Sequence, residues 1–261
     1  MSSLRAEESP LNVLVTGGSG ASGVAVARAL SAAGCRVFTV GSDRQRIEAA
    51  AHQAGDGVTP LVCDLAGLDD VRRLRKDVSA AAGPVDAVIH LVGGWRGAKG
   101  IPDQSDDDWE FLERGSITTL RNVSRTFFED VAASPRGRFA IVSSTMAEKP
   151  TAAVASYAAA KAAAEAWTMA MADGFRRAAE SGAGEAAAVV LVVKALVDDE
   201  LRRSHPERSF PGATDVADLA GAVVRLFGQP AAGLNGTRVR LEPSAAARRA
   251  PQPAAPPQYL H

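Results

Sequence analysis

The sequence is poor in cysteine, with two in 261 residues, Cys35 and Cys63. Each lies inside or beside an apolar run, so both are predicted to be small buried hydrophobic residues in a reducing compartment. Two isolated cysteines argue against a disulfide framework and against a thiolate metal site. No metal site is therefore predicted.

The sequence also lacks an excess of charge of either sign and lacks long apolar runs. Its 29 lysine and arginine residues nearly balance 30 aspartate and glutamate residues. Nucleic acid or an anionic membrane would require a basic face, so neither is expected as a partner. Glu7 and Glu8 lie where a signal peptide would be apolar, and no run has the length of a membrane span. We expect a cytoplasmic location and a small-molecule partner.

What the sequence does have is an alternation of short apolar runs with longer alanine-rich segments. Most runs are almost continuously hydrophobic and β-branched, as strands covered on both faces by helices are. The runs are 12–16, 36–40, 58–62, 87–92, 138–143, 187–193 and 237–241. Helices are predicted to begin near Ser22, Arg44, Leu68, Asp106, Val154 and Thr214. Repeated strand–helix units predict an α/β, Rossmann-like, doubly wound parallel sheet of about seven strands in a single domain.

The two ends differ from this pattern. Residues 1–9 are polar, and residues 243–261 are rich in proline and alanine with little to bury. The domain is therefore predicted to span residues 10–242, with a tail at each end. The alternative for the last segment is packing on a neighbouring subunit.

A glycine-rich segment, TGGSGASG, directly follows the first predicted strand. Gly18, Gly20 and Gly23 fit the pattern GxGxxG. Glycines let the chain turn tightly and let a pyrophosphate approach bare N–H groups at the positive end of a helix. The pattern predicts dinucleotide binding, and the alternative is a merely structural turn. The predicted binding residues of this segment are Gly17, Ser19, Gly20, Ala21, Ser22 and Gly23.

The end of the second predicted strand bears on the choice of dinucleotide. An acidic residue there would hold the adenosine ribose and repel a 2'-phosphate, but the first position past the strand is Gly41. Ser42 and Arg44 could cradle a 2'-phosphate, Arg44 through charge-assisted hydrogen bonds. In the alternative, Asp43 and Arg44 only cap and solvate the following helix. The sequence slightly favours NADP(H) over NAD(H).

Two further strand ends point to the same crevice. Asp64 and Leu65 follow the third predicted strand, where a carboxylate and a backbone amide could meet the adenine, although Asp64 could instead be an N-cap. Val92, Gly93 and Gly94 end the fourth strand, where missing side chains let the ribose and the nicotinamide pass close to the backbone.

A serine, a tyrosine and a lysine have a joint spacing that indicates acid–base catalysis. Ser144 closes the fifth predicted strand, Tyr157 follows in an alanine-rich helix, and Lys161 is one helical turn past Tyr157. Residues at i and i+4 share a helix face, so the phenol and the ammonium can address one site. A nearby cation lowers the pKa of a phenol, and Ser144 can hydrogen-bond a substrate oxygen. The alternative is a chance Y-x-x-x-K and a serine used for capping.

Together these residues resemble the short-chain dehydrogenase/reductase family over about residues 11–242. The resemblance implies that Ser144, Tyr157 and Lys161 are catalytic, that Tyr157 and Lys161 also contact the dinucleotide, and that Ser116 replaces a fourth catalytic residue, an asparagine. It further implies a homodimer or homotetramer that associates through the helix bearing Tyr157 and the helix before it. Motif details in 17–23, 93–95 and 197–210 are similar to the branch that includes dihydropteridine reductase.

The sequence departs from the better-known branch of that family at several positions. The segment His90-Leu91-Val92-Gly93 replaces N-N-A-G, and Lys194-Ala195 replaces Pro-Gly. Ser116 can relay a proton but cannot fix a water as an amide does. His90 lies in an apolar run and is predicted to be a hydrogen-bonded core histidine rather than a catalyst.

The leading hypothesis is an enzyme, an NAD(P)-dependent oxidoreductase that transfers hydride between nicotinamide and a small carbonyl, alcohol or imine substrate, with Tyr157 as general acid/base. One alternative is a catalytically quiet dinucleotide-binding sensor or assembly protein, motivated by Ser116 and the altered motifs. Another is a sugar-nucleotide epimerase, suggested by T-G-x-x-G-x-x-G over 16–23 but left with little room after the sixth strand. Six residues are candidates for contact with a polar or anionic substrate, and the alternative is that they are only solvated loop residues. They are Trp95, Arg96, Lys99, Arg202, Arg203 and His205.

Overall fold

The structure is a computed structural model that describes residues 9–241. Its strands are β1 (Asn12–Thr16), β2 (Arg36–Gly41), β3 (Val58–Val62), β4 (Ala87–His90), β5 (Arg138–Ser144), β6 (Ala187–Val193), β7 (Leu196–Val197), β8 (Thr214–Asp215) and β9 (Thr237–Arg240). Its helices are α1 (Ala21–Ala32), α2 (Arg44–Ala54), α3 (Leu68–Ala82), α4 (Asp106–Glu113), α5 (Thr119–Ala133), α6 (Ala155–Glu180), α7 (Asp199–Ser204), α8 (Val216–Leu226) and α9 (Ala231–Leu234). The two predicted tails, 1–9 and 243–261, lie outside the described residues apart from Ser9.

Seven strands form one parallel sheet with the order β3-β2-β1-β4-β5-β6-β9, and β7 pairs with β8 separately. The chain builds the sheet in opposite directions from β1, so a crevice opens between β1 and β4 at their carboxyl ends. In register, Thr16 of β1 pairs with Val40 of β2 and with His90 of β4, which places these three strand ends side by side. The predicted fold class is confirmed.

Two cores, one on each face of the sheet, hold the helices against it. On β1, Val13 packs into the core that contains Leu30 of α1, whereas Leu14 packs into the core that contains Phe127 of α5. All four side chains are fully buried. Burial on both faces explains why the strands are continuous apolar runs rather than alternating ones.

The structure differs from the sequence prediction in two elements near the crevice. The fourth strand ends at His90 rather than at residue 92, and beyond it one more backbone bond, from Leu91 N to Thr16 O at 3.0 Å, still joins the chain to β1. The helix predicted from Asp106 is divided by a π-helical turn, Arg114–Thr118, that joins α4 to α5. π-Helical turns of this kind are rare and are concentrated at functional sites.

The cysteines are free thiols, and they differ in burial. Cys63 is buried as predicted, but Cys35 is half-buried, just past the turn that ends α1. Burial raises the pKa of both thiols, that of Cys63 to about 11. Within residues 9–241 we find no helix long and apolar enough to cross a membrane. The same range contains no cluster of three histidine, cysteine or carboxylate side chains that could hold a metal ion.

Candidate active site

The turn between β1 and α1 requires glycine at two positions. Gly17 has φ +75°, and a Cβ there would lie 2.8 Å from the carbonyl carbon of Leu91. A Cβ on Gly23 would lie 2.6 Å from the Gly17 oxygen. Gly20, the N-cap of α1, instead faces open space, because the nearest atom would be 3.9 Å from its Cβ. The turn therefore leaves room over bare backbone at the positive end of a helix, as a phosphate requires.

A cleft of about 550 Å³ opens beside this turn at the carboxyl ends of the strands. It brings together most of the residues predicted to bind a dinucleotide. Those that line the cleft are Gly17, Ser19, Gly20, Ser42, Asp64, Leu65, Val92 and Gly93. Other residues that line the cleft were not predicted from the sequence, among them Arg46, Cys63, Phe111, Arg114 and Thr119. No motif marks them: Cys63 directly follows β3, and the other four reach the cleft through the packing of helical segments.

Several predicted binding residues are not part of the cleft lining, among them Ala21, Ser22 and Gly94. Ala21 and Ser22 line a separate cavity of about 400 Å³ together with residues of β7 and α7. Gly94 packs against the ring of Phe111, whose Cε1 would lie 2.5 Å from a Cβ on Gly94. Residues that are neighbours in sequence therefore face different cavities.

The end of β2 has no room for an acidic side chain without rearrangement. A Cβ on Gly41 would lie 2.4 Å from Ser19 Oγ and 3.2 Å from Ile47 Cβ. The steric fit therefore agrees with the absence of the ribose-binding carboxylate that the sequence analysis noted.

The arginine predicted to contact a 2'-phosphate is not the one that faces the cleft. Arg44 is exposed, and its Nη1 lies 3.3 Å from Glu48 Oε1 on the surface of α2. Asp43 caps the helix, accepting a hydrogen bond from Arg46 N at 2.8 Å. Arg46 lines the cleft and Arg44 does not. Two positions along a helix nearly reverse the direction of a side chain, which places Arg46 on the cleft and Arg44 on the outer surface of α2.

Asp64, after β3, is held in place by two contacts. Its Oδ1 accepts a hydrogen bond from Ala66 N at 3.0 Å, and its Oδ2 lies 2.8 Å from Arg114 Nη2. Arg114 belongs to the π-helical turn. The ion pair therefore joins the third strand end to the π-helical turn across the rim of the cleft.

The predicted catalytic residues meet at the ends of β5 and α6. Ser144 is buried at the end of β5, and its side chain hydrogen-bonds the phenol of Tyr157. Lys161 Nζ lies 5.9 Å from the centroid of the Tyr157 ring. It would also lie 3.3 Å from a Cβ on Gly93, which lines the cleft. The structure thus brings the serine, the tyrosine and the lysine to the edge of the same cleft.

The electrostatics of Tyr157 differ from the prediction. Burial raises the pKa of the phenol, and the hydrogen bond with Ser144 partly opposes that effect. Lys161, which was predicted to lower this pKa, is not among the groups that shift it, and its Nζ donates to the backbone oxygen of Val142 at 3.0 Å. Burial lowers the pKa of Lys161 to about 8, while the negative charge of Glu165 raises it. Lys161 therefore changes between its charged and neutral forms near pH 8 instead of staying charged as an exposed lysine does.

Glu165, one turn past Lys161 on α6, has its own set of partners. Its carboxylate accepts a hydrogen bond from the Ser143 hydroxyl and lies 2.8 Å from Arg238 Nε. Arg238 also lies 2.9 Å from Glu148, just past Ser144 in sequence. These contacts tie the active-site helix to the segment after β5 and to the last strand.

The buried ammonium predicts a pH-dependent cost in stability. The folded pKa of about 8 is below the ordinary value of 10.5, so the unfolded chain binds more protons between these values. The buried ammonium lowers the free energy of unfolding by its full amount below pH 8, and this effect decreases as the pH rises toward 10.5. Lys161→Met is expected to raise the free energy of unfolding by about 3 kcal/mol at pH 7 and by much less at pH 10.5.

Urea unfolding of wild type and variant at the two pH values measures this difference. Lys149→Met is the matched control, because Lys149 is exposed and should show no gain at either pH. An equal gain for Lys161→Met at both pH values would show that repacking, not charge, produces it.

Ser116 lies in the π-helical turn with a hydroxyl that no described group satisfies. The side chain is buried, and its Oγ has no hydrogen-bond partner within residues 9–241. A Cβ on Gly93 would lie 3.9 Å from this Oγ and 3.3 Å from Lys161 Nζ. An unsatisfied buried hydroxyl is costly, so this Oγ is suited to a water or a ligand beside Lys161.

The residues predicted to contact substrate are exposed or engaged with carboxylates. Trp95 is 59% exposed, and Lys99 is also exposed. The charged pairs of the others are Arg96 with Asp108 at 3.2 Å, Arg202 with Asp215 at 2.6 Å, Arg203 with Glu200 at 2.7 Å, and His205 with Glu207 at 3.6 Å. Four of the six therefore lie beside a negative charge that any anionic substrate would have to displace.

The chain matches known proteins over most of its length. Residues 11–179 match the family model for the short chain dehydrogenase. The sequence is 28% identical to an acetoacetyl-CoA reductase of Allochromatium vinosum over 61% of this chain and 67% of the reductase. It is 30% identical to nodulation protein G of Rhizobium meliloti over 50% of this chain and 53% of that protein. The chain thus spans between about half and two thirds of these relatives.

Solved structures share the fold. A short-chain oxidoreductase from Pseudomonas aeruginosa with an atypical catalytic centre has a TM-score of 0.78 at 18% identity, covering 92% of this chain and 98% of that one. A gluconate 5-dehydrogenase from Burkholderia cenocepacia in complex with NADP and tartrate has a TM-score of 0.74 at 24% identity, covering 88% and 92%. The chain belongs to the short-chain dehydrogenase family. It is an oxidoreductase of the short-chain dehydrogenase/reductase class.

Proposed function

We propose that the protein transfers hydride between a nicotinamide dinucleotide and a small carbonyl, alcohol or imine substrate, with Tyr157 as general acid/base. The observation that supports this proposal is that Ser144, Tyr157 and Lys161 lie together, with Lys161 beside Gly93 of a cleft that begins at a glycine turn. The dinucleotide supplies or accepts the hydride. The protein's own residues bind it, orient the substrate and move a proton.

The cleft fits such a dinucleotide by its shape. The open space over Gly20 suits the pyrophosphate, and Asp64 with the amide of Leu65 suits the adenine. Val92 and Gly93 leave the backbone bare where the ribose and the nicotinamide would pass. The unsatisfied hydroxyl of Ser116 next to Lys161 is a further place for a polar group.

Each catalytic side chain has a separate task. Ser144 hydrogen-bonds the substrate oxygen and orients it toward Tyr157, and Tyr157 donates the proton as the carbonyl carbon is reduced. Burial holds the Tyr157 phenol protonated, which suits a proton donor in the reducing direction. Lys161 gives a proton to the phenolate left behind, and Ser116 relays a proton from solvent back to the neutral amine of Lys161.

We further propose a preference for NADP(H) over NAD(H). The support is Gly41 in place of a carboxylate and the position of Ser42 and Arg46 on the cleft. Arg46→Ala is expected to raise Kd for NADPH roughly tenfold, the effect of losing one charged hydrogen bond, and to leave Kd for NADH nearly unchanged. Fluorescence titration of both dinucleotides measures this.

Arg44→Ala is the matched control for that titration, because Arg44 lies two residues away, is exposed and pairs with Glu48. If Arg44→Ala weakens NADPH and Arg46→Ala does not, the original assignment from sequence is the better one. Equal weakening of both dinucleotides by Arg46→Ala would remove the case for a 2'-phosphate contact.

Other features of the sequence hypothesis remain proposals. These are the closer similarity to the dihydropteridine reductase branch, the cytoplasmic location and the homodimer or homotetramer. A shallow groove between α5 and α6, lined by Phe128, Trp167 and Met171, supports association through these helices. An exposed apolar groove on the two helices that the family resemblance implicates would be covered in such an assembly.

The decisive experiment is a two-stage screen of the purified protein. NADPH and NADH are titrated first, and a panel of small carbonyl and imine compounds is then tested for dinucleotide oxidation. Turnover of at least one compound is expected. Tight dinucleotide binding with no turnover of any compound would favour the quiet sensor, and epimerisation of a nucleotide sugar without net oxidation would favour the epimerase.

A further inference from the structure

A buried histidine links the phosphate-binding turn to the π-helical turn. His90 Nδ1 lies 2.8 Å from Thr16 Oγ1, and His90 Nε2 lies 3.2 Å from Thr119 Oγ1. Thr119 Oγ1 in turn lies 2.7 Å from the backbone oxygen of Gly115. Thr16, His90 and Thr119 are all buried, with at most 6% of each residue exposed. The prediction of a hydrogen-bonded core histidine is confirmed, but its partners are not ordinary core residues.

The geometry fixes which group donates in each of these three hydrogen bonds. The Gly115 oxygen can only accept, so the Thr119 hydroxyl donates to it and uses a lone pair to accept from His90 Nε2–H. His90 Nδ1 then has no proton and accepts from the Thr16 hydroxyl. Burial, with a smaller effect of the Lys161 charge, lowers the pKa of His90 to about 3, so the ring is neutral at neutral pH. One tautomer therefore satisfies all three side chains.

The two ends of this series of hydrogen bonds lie at functional positions. Thr16 is the last residue of β1 and directly precedes Gly17, the glycine that requires a positive φ. Gly115 directly precedes Ser116 in the π-helical turn. A Cβ on Gly115 would lie 3.8 Å from the Cα of Gly93, so this turn packs close to the cleft.

We propose that His90 is a positioning residue that, through Thr119, holds the π-helical turn so that Ser116 faces Lys161. Because π-helical turns are less stable than α-helix, an added side-chain bond to the Gly115 oxygen stabilises this one. The inference rests on the proposed roles of Ser116 and Lys161 in proton relay. It adds a function for a residue that replaces the first asparagine of the family motif.

Two substitutions of His90 test its two hydrogen bonds separately. The amide of asparagine reaches about as far as Nδ1, so His90→Asn can keep the bond to Thr16 but not the bond to Thr119. The amide of glutamine reaches about as far as Nε2, so His90→Gln can keep the bond to Thr119. Thr119→Val removes the same bond from the other side, with nearly unchanged volume.

Amide hydrogen exchange of the segment 112–120, with kcat as a second readout, tests the proposal. His90→Asn and Thr119→Val are expected to exchange about five to ten times faster in this segment, the effect of one lost hydrogen bond. Both are expected to lower kcat by a similar factor, and His90→Asn, at a residue that does not line the cleft, should leave Kd for the dinucleotide unchanged. His90→Gln should resemble wild type. Thr126→Val is the control, because Thr126 makes the same kind of bond, to Asn122 O at 2.8 Å, further along α5.

A double-mutant comparison distinguishes positioning of Ser116 from general loosening. In a Ser116→Ala background, His90→Asn is expected to cause no further loss of kcat. Additive losses, or equal exchange rates for His90→Asn and His90→Gln, would overturn the proposal. Since hydrogen exchange needs no substrate, the structural part can succeed or fail even if the protein turns over no carbonyl, which separates this proposal from the proposed function.

Discussion

Tyr157→Phe is expected to lower kcat for carbonyl reduction by about 10²- to 10⁴-fold, the contribution of a positioned general acid. The ring remains, so packing on α6 should hold and Kd for the dinucleotide should stay near the wild-type value. The loss arises because the phenol, hydrogen-bonded to Ser144 at the edge of the cleft, is the only group we assign to donate the proton. Steady-state kinetics with the best compound of the screen, beside a fluorescence titration of the dinucleotide, measures both quantities.

The matched control is Tyr259→Phe, since Tyr259 is the only other tyrosine in the sequence. It should leave kcat unchanged. A loss of dinucleotide affinity equal to the loss of kcat would mean that Tyr157 binds rather than reacts. Retention of kcat in Tyr157→Phe would remove the tyrosine from the mechanism altogether.

The second large effect is expected from Gly17→Ala, which should abolish measurable dinucleotide binding and lower the free energy of unfolding by about 2–5 kcal/mol. The alanine would have to adopt a positive φ, and its Cβ would lie 2.8–2.9 Å from the Leu91 and Val92 backbone. Backbone cannot move aside as a flexible side chain can, so either the turn or the end of β4 must shift. Chemical unfolding and dinucleotide titration report the two losses.

Gly34→Ala separates the strain from the clash. Gly34 has φ +85°, but no atom lies within 4 Å of the position of a Cβ there. Gly34→Ala should lower the free energy of unfolding by only about 1–2 kcal/mol, the cost of a positive φ at alanine, and should leave the dinucleotide affinity unchanged. Equal losses of stability for the two variants would show that close packing against Leu91 is unimportant.

The strands and the catalytic spacing could be predicted because they depend on local patterns. All seven predicted strands occur, and the central strands β1, β4 and β6 are mostly apolar because they are buried on both faces. The i, i+4 relation of Tyr157 and Lys161 is a property of any helix. Ser144 could be placed because it closes a strand whose carboxyl end faces the crevice.

Other parts of the site depend on packing that no local pattern encodes. Arg46 rather than Arg44 faces the cleft, and Arg114 of the π-helical turn pairs with Asp64, which is distant from it in sequence. The pKa of Tyr157 is raised rather than lowered, because burial of the phenol outweighs the opposing effect of its hydrogen bond with Ser144. These are properties of three-dimensional surroundings.

By itself, the sequence determined the fold class, the glycine turn and the residues proposed to carry the chemistry, because periodicity and spacing along one chain fix which side chains share a face. Only the tertiary structure decided which arginine faces the cleft, how the ammonium of Lys161 is held, and that His90 joins two distant turns through Thr16 and Thr119. The physical reason is that burial and hydrogen bonding depend on neighbours far apart in sequence, which strand order and helix packing bring together.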